Sequence, residues 1–299
     1  MSKNLQLQVK HLRDKIKRIA GELQVEPRHT ARAHFYYVPA LNETFPSVSA
    51  EHRNIKDPSI RNFEKNEALR YIRDNLPILI EASAKMNMDV MDAVFKQASE
   101  AAVKERDNSG TIGSYIHSAR EHYFRVWIDS DKTERPPANI EAIAKSWKAD
   151  IPPEFYHSVL SGCAAMDKFV SETGYIPLGC ELYVYDAKRK VAGTLDDVGL
   201  MPVKGEYTLV ILDLKSSNQF KIFYTLQVCR YQNMFKKLFH LIPKKILIVK
   251  VSKEDRTYSL EWFKPEQILN GHKANHYLSL FNKHFENIEE IRKKEYKVI

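Results

Sequence analysis

The centre of the chain changes from helical to β-rich patterning, and this change most limits the folds available to it. Three apolar runs rich in β-branched and aromatic residues follow one another, with the short polar connectors DAKRK and PVKGE between them. Connectors of this length favour antiparallel hairpins. The three predicted strands are Glu181–Tyr185, Val191–Leu200 and Tyr207–Lys215.

Helical patterning surrounds these strands. Apolar residues recur at helical spacing from Leu5 to Ile19, and similar spacing predicts helices over residues 63–80, 89–104, 112–128, 140–148 and 153–173. Asn108–Gly110 predicts a helix break, and His34–Val48 predicts a hairpin or extended loop. Downstream, the pattern predicts a helix over 222–239, strands over 245–251 and 257–263, and a long terminal helix.

This order of elements predicts an α/β (α+β) fold with a helical N-terminal elaboration. We expect residues 1–108 to form the helical N-terminal region and residues 109–299 the core, either as two units or packed as a single domain. The N-terminal region is a candidate cap over a substrate channel.

Composition narrows the class of protein. No stretch approaches the roughly 18 uninterrupted apolar residues of a membrane span, and the N-terminus lacks the apolar core of a secretory signal, so we expect a cytoplasmic protein with no membrane partner. Asp14 and Glu22 make a mitochondrial presequence the weaker alternative. Three dispersed cysteines are too few for a disulfide framework or a four-thiolate metal site.

Charge is distributed unevenly along the chain. The formal net charge is +8, yet residues 101–200 carry 12 basic and 15 acidic side chains, whereas residues 201–299 carry 18 and 10. A basic surface favours a polyanionic partner, and acidic groups beside it suit a cation site. Ordinary compositional scatter is the alternative explanation.

Two strands carry acids where apolar residues dominate. Asp196 lies towards the end of one run, and Asp213 and Lys215 lie two apart in VILDLK, so that both project from one face of a strand. Charges in such runs cost desolvation energy and need partners. Carboxylates bind hard divalent cations, and a neighbouring lysine can hold a water or stabilise phosphate charge, so the pattern fits phosphodiester hydrolysis. A structural Asp–Lys salt bridge is the alternative for Asp213 and Lys215 alone.

Four short motifs occur in a fixed order, at Gly113–His117 on a helix, Gly193–Asp196, Asp213–Lys215 and Gln227–Tyr231. Together they resemble the PD-(D/E)XK nuclease superfamily, in particular its RecB-type exonuclease branch, and are similar to phage-encoded and mitochondrial genome maintenance exonucleases. The motif-bearing region runs from about residue 110 to residue 239. Phe45–Val48 loosely resembles a PSVT-type segment found upstream of the core in those exonucleases.

The resemblance implies a PD-(D/E)XK core with a central mixed sheet, and it implies a role for each motif residue. Asp196 and Asp213 are expected to bind the metal, with the backbone carbonyl of Leu214 and the side chain of His117 as further ligands. Lys215 is the expected catalytic lysine, and Gln227 and Tyr231 are expected to support the site near the scissile phosphate. Glu181 and Glu121 are more speculative acidic neighbours, and Asp197 is expected to be structural.

The resemblance also implies the function and the cofactors. We expect a metal-dependent DNA nuclease, an exonuclease in the first instance, acting in recombination, repair or replication with one or two Mg²⁺ or Mn²⁺ ions. Three dispersed cysteines are too few for a four-cysteine iron-sulfur cluster, so none is expected, and because no G-x-x-x-x-G-K-[ST] loop occurs, no nucleotide is expected either. Any ATP-driven unwinding would then come from a helicase partner. Recombination and single-strand-binding proteins are other expected partners.

Two alternatives remain open at this point. One is a nucleic-acid-binding module on the same fold without significant catalysis, and the other is a structure-specific endonuclease. In all three cases the basic and aromatic residues after the catalytic strand are candidates for DNA contacts; they are Lys221, Phe223, Tyr224, Lys236, Lys237, Lys244 and Lys245.

Overall fold

The computed structural model describes residues 3–29, 34–51, 58–216, 222–264 and 266–279. It is a mixed α/β structure with one five-stranded sheet and one three-stranded sheet. The helices are α1 (Lys3–Leu23), α2 (Val48–Glu51), α3 (Pro58–Asp74), α4 (Leu76–Ala84), α5 (Met88–Asp129), α6 (Ile140–Ser146), α7 (Pro153–Thr173), α8 (Ile222–Phe239) and α9 (residues 266–279). The strands are β1 (Glu26–His29), β2 (His34–Val38), β3 (Glu43–Pro46), β4 (Ile176–Asp186), β5 (Val191–Val203), β6 (Glu206–Lys215), β7 (Lys245–Val251) and β8 (Tyr258–Trp262).

The large sheet has the order β4-β5-β6-β7-β8 and mixes both kinds of strand pairing. Strands β4, β5 and β6 form two successive antiparallel hairpins, β6 and β7 are parallel, and β8 returns antiparallel to β7. The parallel pair needs a crossover connection, and α8 provides it. The predicted mixed sheet and α+β organisation are therefore confirmed at this level.

Helices cover both faces of the large sheet, which explains why its central strands are apolar on both sides. One core layer joins α5 and α7 to residues such as Leu212 and Leu214 of β6. The other joins α1 and α8 to residues such as Ile211 of β6 and Ile248 of β7. The alternation of side chains along β6 thus feeds two separate cores.

Helix α5 is continuous over 42 residues, so the predicted break at Asn108–Gly110 is wrong. The Gly113–His117 motif consequently lies well inside the helix, rather than at its start as the sequence pattern indicated. A glycine inside a helix costs only about 1 kcal/mol, and the buried face from Ile112 to Trp127 makes up for it. A Cβ at position 113 would lie 2.8 Å from the Oγ of Ser216, so Gly113 allows α5 to approach the end of β6 closely.

The N-terminal residues contribute directly to the core. Leu5, Val9 and Ile16 of α1 lie in the same apolar layer as residues of β4 and β5. The hairpin or extended loop predicted over His34–Val48 is a hairpin, formed by the antiparallel strands β2 and β3, and β1 adds a third strand to it. Ser47 also forms a bridge to Ala192 of β5. The predicted boundary between residues 108 and 109 lies inside α5.

Two further differences concern the helices at either end. The helix predicted over 63–80 is two helices, α3 and α4, with Asn75 between them and a proline in the first turn of α4. The predicted terminal helix is seen as α9 over residues 266–279, and the part of the prediction beyond residue 279 lies outside the described residues. A bilayer-crossing helix would need a long apolar stretch, and no described helix contains one.

Candidate metal and active site

The candidate site lies where β5 and β6 separate from each other. Their backbone pairing ends at Asp197 and Leu212; beyond that point β5 continues beside β4, and β6 continues beside β7. In place of the next backbone contact, the Oδ2 atom of Asp196 accepts a hydrogen bond from the backbone N–H of Leu214 at 2.8 Å. We call this opening the fork.

Helix α5 brings a histidine to the fork. The Nδ1 atom of His117 lies 3.8 Å from Oδ2 of Asp196. Glu181 of β4 completes the group: one ligand atom from each of His117, Glu181 and Asp196 lies within 4.8 Å of the others. Residues from three separate elements therefore converge on one point.

Asp213 and Lys215 project into the same region as an ion pair. Their Oδ2 and Nζ atoms are 2.7 Å apart, and both side chains are largely buried. The Lys215 ammonium also lies 4.8 Å from the centre of the Tyr224 ring, where a cation is attracted by the ring face. Asp213 is not one of the three clustered ligands, and its carboxylate forms the ion pair with Lys215.

Gln227 and Tyr231 of α8 contact each other, and Tyr231 packs against the part of β5 that leads to the fork. The Nε2 atom of Gln227 donates to the Tyr231 hydroxyl at 3.0 Å. The Tyr231 ring lies directly against Gly193, where a Cβ would come within 2.7 Å of its Cε1 atom. Residues from two of the four motifs therefore touch, and the glycine is required by that contact.

Arg120 is a residue that sequence reasoning did not assign to the site. It is fully buried on α5, donates to Oδ2 of Asp197 at 2.7 Å, contacts Oε1 of Glu181, and lies 3.8 Å from Oδ2 of Asp196. A signal for it exists in the sequence, because Arg120 falls on the apolar helix face that includes Ile116 and Tyr123. A charged residue on such a face needs a buried partner.

Glu181 has an unusual backbone for a strand residue. Its φ angle is 48°, in the left-handed region that L-residues other than glycine seldom adopt. Cys180 and Leu182, which would share a face in a regular strand, belong to opposite core layers. The irregular backbone thus reverses the alternation of side chains along β4 at Glu181, the residue that faces the fork.

Burial and neighbouring charges shift the ionisation of the fork residues. Burial and the nearby Arg120 and Lys215 cations lower the pKa of His117 to about 4, which leaves its imidazole neutral at pH 7. Burial raises the pKa of Glu181 to about 7 and that of Asp213 to about 6. Burial acts against charge on Asp196 and Lys215 as well, but opposite charges nearby lower the pKa of Asp196 and raise that of Lys215.

The donor set suits a divalent cation. Ligand atoms of an octahedral Mg²⁺ or Mn²⁺ lie up to about 4.2 Å apart across the ion, close to the 4.8 Å spread of the three ligand atoms here. Two carboxylates and a neutral imidazole are ligands that Mn²⁺ accepts, and carboxylates suit Mg²⁺. The residues present therefore fit such an ion.

The other predicted residues have different positions. Glu121 forms an ion pair with Arg125 on the same helix at 2.7 Å. Asp197 is fully buried against Arg120. Among the candidate DNA contacts, Lys237 pairs with Asp186 at 2.8 Å. Two others, Lys221 and the Phe223 side chain, lie outside the described part of the structure.

Comparisons with known proteins add little. No family model matches the chain, and no curated protein matches it. The chain is similar to the crystal structure of a protein designated SSO0001, with 11% sequence identity over 56% of this chain and 74% of that chain, and a TM-score of 0.24. A likeness at that level carries no argument about fold or function.

Proposed function

We propose that the protein is a metal-dependent DNA nuclease with a PD-(D/E)XK core, acting as an exonuclease. The observation that carries the proposal is the meeting of Asp196, Asp213 and Lys215 with His117 at the fork. These residues come from motifs that are up to about 100 positions apart in the sequence. A structural salt bridge between Asp213 and Lys215 would not require the other two groups nearby.

The roles of the side chains follow from their positions. His117, Glu181 and Asp196 would hold a Mg²⁺ or Mn²⁺ ion, and Asp213 and the Leu214 carbonyl are the further ligands that the motifs suggest. When bound, such an ion neutralises phosphate charge and lowers the pKa of a coordinated water. Lys215 stays protonated because its pKa is raised, so it acts through its charge, orienting the attacking water and stabilising the charge that develops on the phosphate.

Positive charge beside the fork supports a polyanionic substrate. Lys250 of β7 is the in-register neighbour of Lys215, so the two side chains project from the same face of the sheet. The last third of the chain also carries the excess of basic residues. These features favour the phosphate backbone of a nucleic acid as the substrate, and we propose that this nucleic acid is DNA.

The decisive experiment is digestion of end-labelled single- and double-stranded DNA with Mn²⁺ or Mg²⁺. We expect degradation by the wild type and a loss of at least about 10²-fold in rate for Asp213→Ala and for Lys215→Ala, with DNA binding retained. Lys204→Gln is the matched control, because Lys204 is exposed in the turn between β5 and β6, about 26 Å along β5 from Asp196 at 3.3 Å per strand residue. Full activity in both alanine variants would refute the assignment.

The same experiment separates the alternatives. Binding without turnover at millimolar Mn²⁺ would favour a nucleic-acid-binding module. Cleavage of a circular DNA, which has no ends, would favour an endonuclease. Release of labelled nucleotides from linear DNA, with circular DNA left intact, is the result that we expect.

A further inference from the structure

Arg120 is placed where three carboxylates would otherwise repel one another. Glu181 and Asp196 face each other from neighbouring strands, and Asp197 follows directly on β5. The guanidinium contacts Glu181 and Asp197 and lies 3.8 Å from Asp196. A planar guanidinium with several donors can engage more than one carboxylate at once, which an ammonium does less well.

The contacts of Arg120 divide into two kinds. Asp197 is fully buried, and its Oδ1 atom has no hydrogen-bond partner in the described part of the chain, so Arg120 is the group that compensates its charge. Glu181 and Asp196 are partly exposed, and both belong to the candidate cation site. Arg120 thus contacts one carboxylate inside the protein, that of Asp197, and lies beside the two carboxylates at the fork, those of Glu181 and Asp196.

The backbone of Glu181 gives independent evidence that its carboxylate is held in place. A left-handed φ of 48° in a strand is unfavourable for glutamate and persists only when surrounding contacts impose it. The guanidinium of Arg120 is the contact that its side chain makes on the side of α5. The contact with Arg120 therefore holds in place Glu181, the candidate ligand whose backbone conformation is least favourable.

We propose that Arg120 is a positioning residue that holds Glu181 beside Asp196 and His117 as a preformed divalent-cation site, with Asp197 as the anchor of Arg120. This inference rests on the cation site of the proposed function. It assigns no contact with substrate to Arg120 itself. Partners of this kind, one shell out from a metal, typically change metal affinity 10- to 100-fold when they are removed.

The test measures Mn²⁺ binding by calorimetry or electron paramagnetic resonance, without DNA. The main variant is Arg120→Met combined with Asp197→Asn, because removing Arg120 alone would leave a buried unpaired carboxylate. We expect its Mn²⁺ dissociation constant to rise at least about tenfold. Arg120→Lys keeps the positive charge but lacks the several N–H donors of the guanidinium. We therefore expect a smaller rise in the Mn²⁺ dissociation constant, of about threefold or more.

Arg13→Met is the matched control for a merely structural effect. Arg13 is also a buried arginine, but it donates to the backbone carbonyls of Pro177 and Lys132 rather than to carboxylates of the fork. We expect a lower melting temperature with unchanged Mn²⁺ affinity. Wild-type Mn²⁺ affinity in the folded double variant would overturn the proposal, and if that variant does not fold, wild-type affinity in Arg120→Lys would overturn it.

Digestion of DNA by the same preparations separates this inference from the proposed function. A wild type that binds Mn²⁺ but does not cut DNA refutes the nuclease assignment, while weaker Mn²⁺ binding by the Arg120 variants still supports the positioning role. A wild type that cuts DNA, with Arg120 variants of unchanged Mn²⁺ affinity, refutes the positioning role alone. A wild type that binds no Mn²⁺ refutes both.

Discussion

The two ends of the β5–β6 hairpin are held together in different ways. At the turn, the backbone pairs of Met201–Val203 with Glu206–Thr208 continue up to Lys204 and Gly205, whose φ angles of 53° and 85° suit a tight hairpin turn. At the fork, backbone pairing stops and the Asp196 carboxylate takes the Leu214 amide instead. The turn end thus depends on backbone conformation, whereas the fork end depends on particular side chains.

Because of this difference, substitutions at the fork should affect activity, whereas substitutions at the turn should affect only stability. A side chain that takes the place of a backbone hydrogen-bond acceptor can carry a charge. The two strands can therefore separate while the backbone N–H of Leu214 still has a hydrogen-bond partner. A turn closed by backbone bonds offers no such group. Substitutions at the two ends should therefore have separable effects.

Asp196→Asn should have the largest effect. The amide oxygen can still accept the Leu214 hydrogen bond, so the fold should be retained, but the charge that would bind a cation is lost. We expect DNA cleavage to fall about 10²- to 10³-fold, with a near-native circular dichroism spectrum and weaker Mn²⁺ binding. Equal activity in wild type and variant would show that the fork carboxylate is structural.

Gly193→Ala should be intermediate and should affect both properties. The added methyl group would meet the Tyr231 ring at 2.7 Å, and overpacking of this kind costs about 1–3 kcal/mol. Because Tyr231 is fixed by Gln227, we also expect slower cleavage. Urea denaturation gives the free energy of unfolding, and Gly110→Ala, which meets nothing within 4 Å in α5, is the control.

Gly205→Ala should have the smallest effect and should spare activity. A Cβ at this position would meet no atom within 4 Å, so only the φ of 85° opposes the substitution. We expect a loss of about 1 kcal/mol in stability and an unchanged cleavage rate per folded molecule. A marked loss of cleavage would contradict the separation between the two ends.

The sequence predicted the strands better than it predicted the helix that supplies His117. Alternation in VILDLK indicates the strand and the shared face of Asp213 and Lys215, because period-two patterning reports directly on a sheet. The Asn-Ser-Gly stretch indicates a break in α5 because local propensity disfavours helix there. Packing of the buried face of α5 against the sheet outweighs that propensity, and no local pattern reports on it.

Parts of the site depend on contacts between residues far apart in sequence. The motifs place His117, Asp196 and Lys215 as candidates, and the structure brings them to one opening of the sheet. Glu181 could be named only as a speculative neighbour, since its left-handed backbone has no signature in the residues around it. Arg120 acquires its partners only when α5 lies across β4 and β5.

The continuity of α5 fixes the spacing between two parts of the molecule. At 1.5 Å per residue its 42 residues form a rod about 63 Å long. In the other half of this rod, Gln97 contacts Tyr71 of α3, and 20 residues separate Gln97 from His117. Because the helix is continuous, the contact with α3 and the imidazole at the fork are held about 30 Å apart along α5.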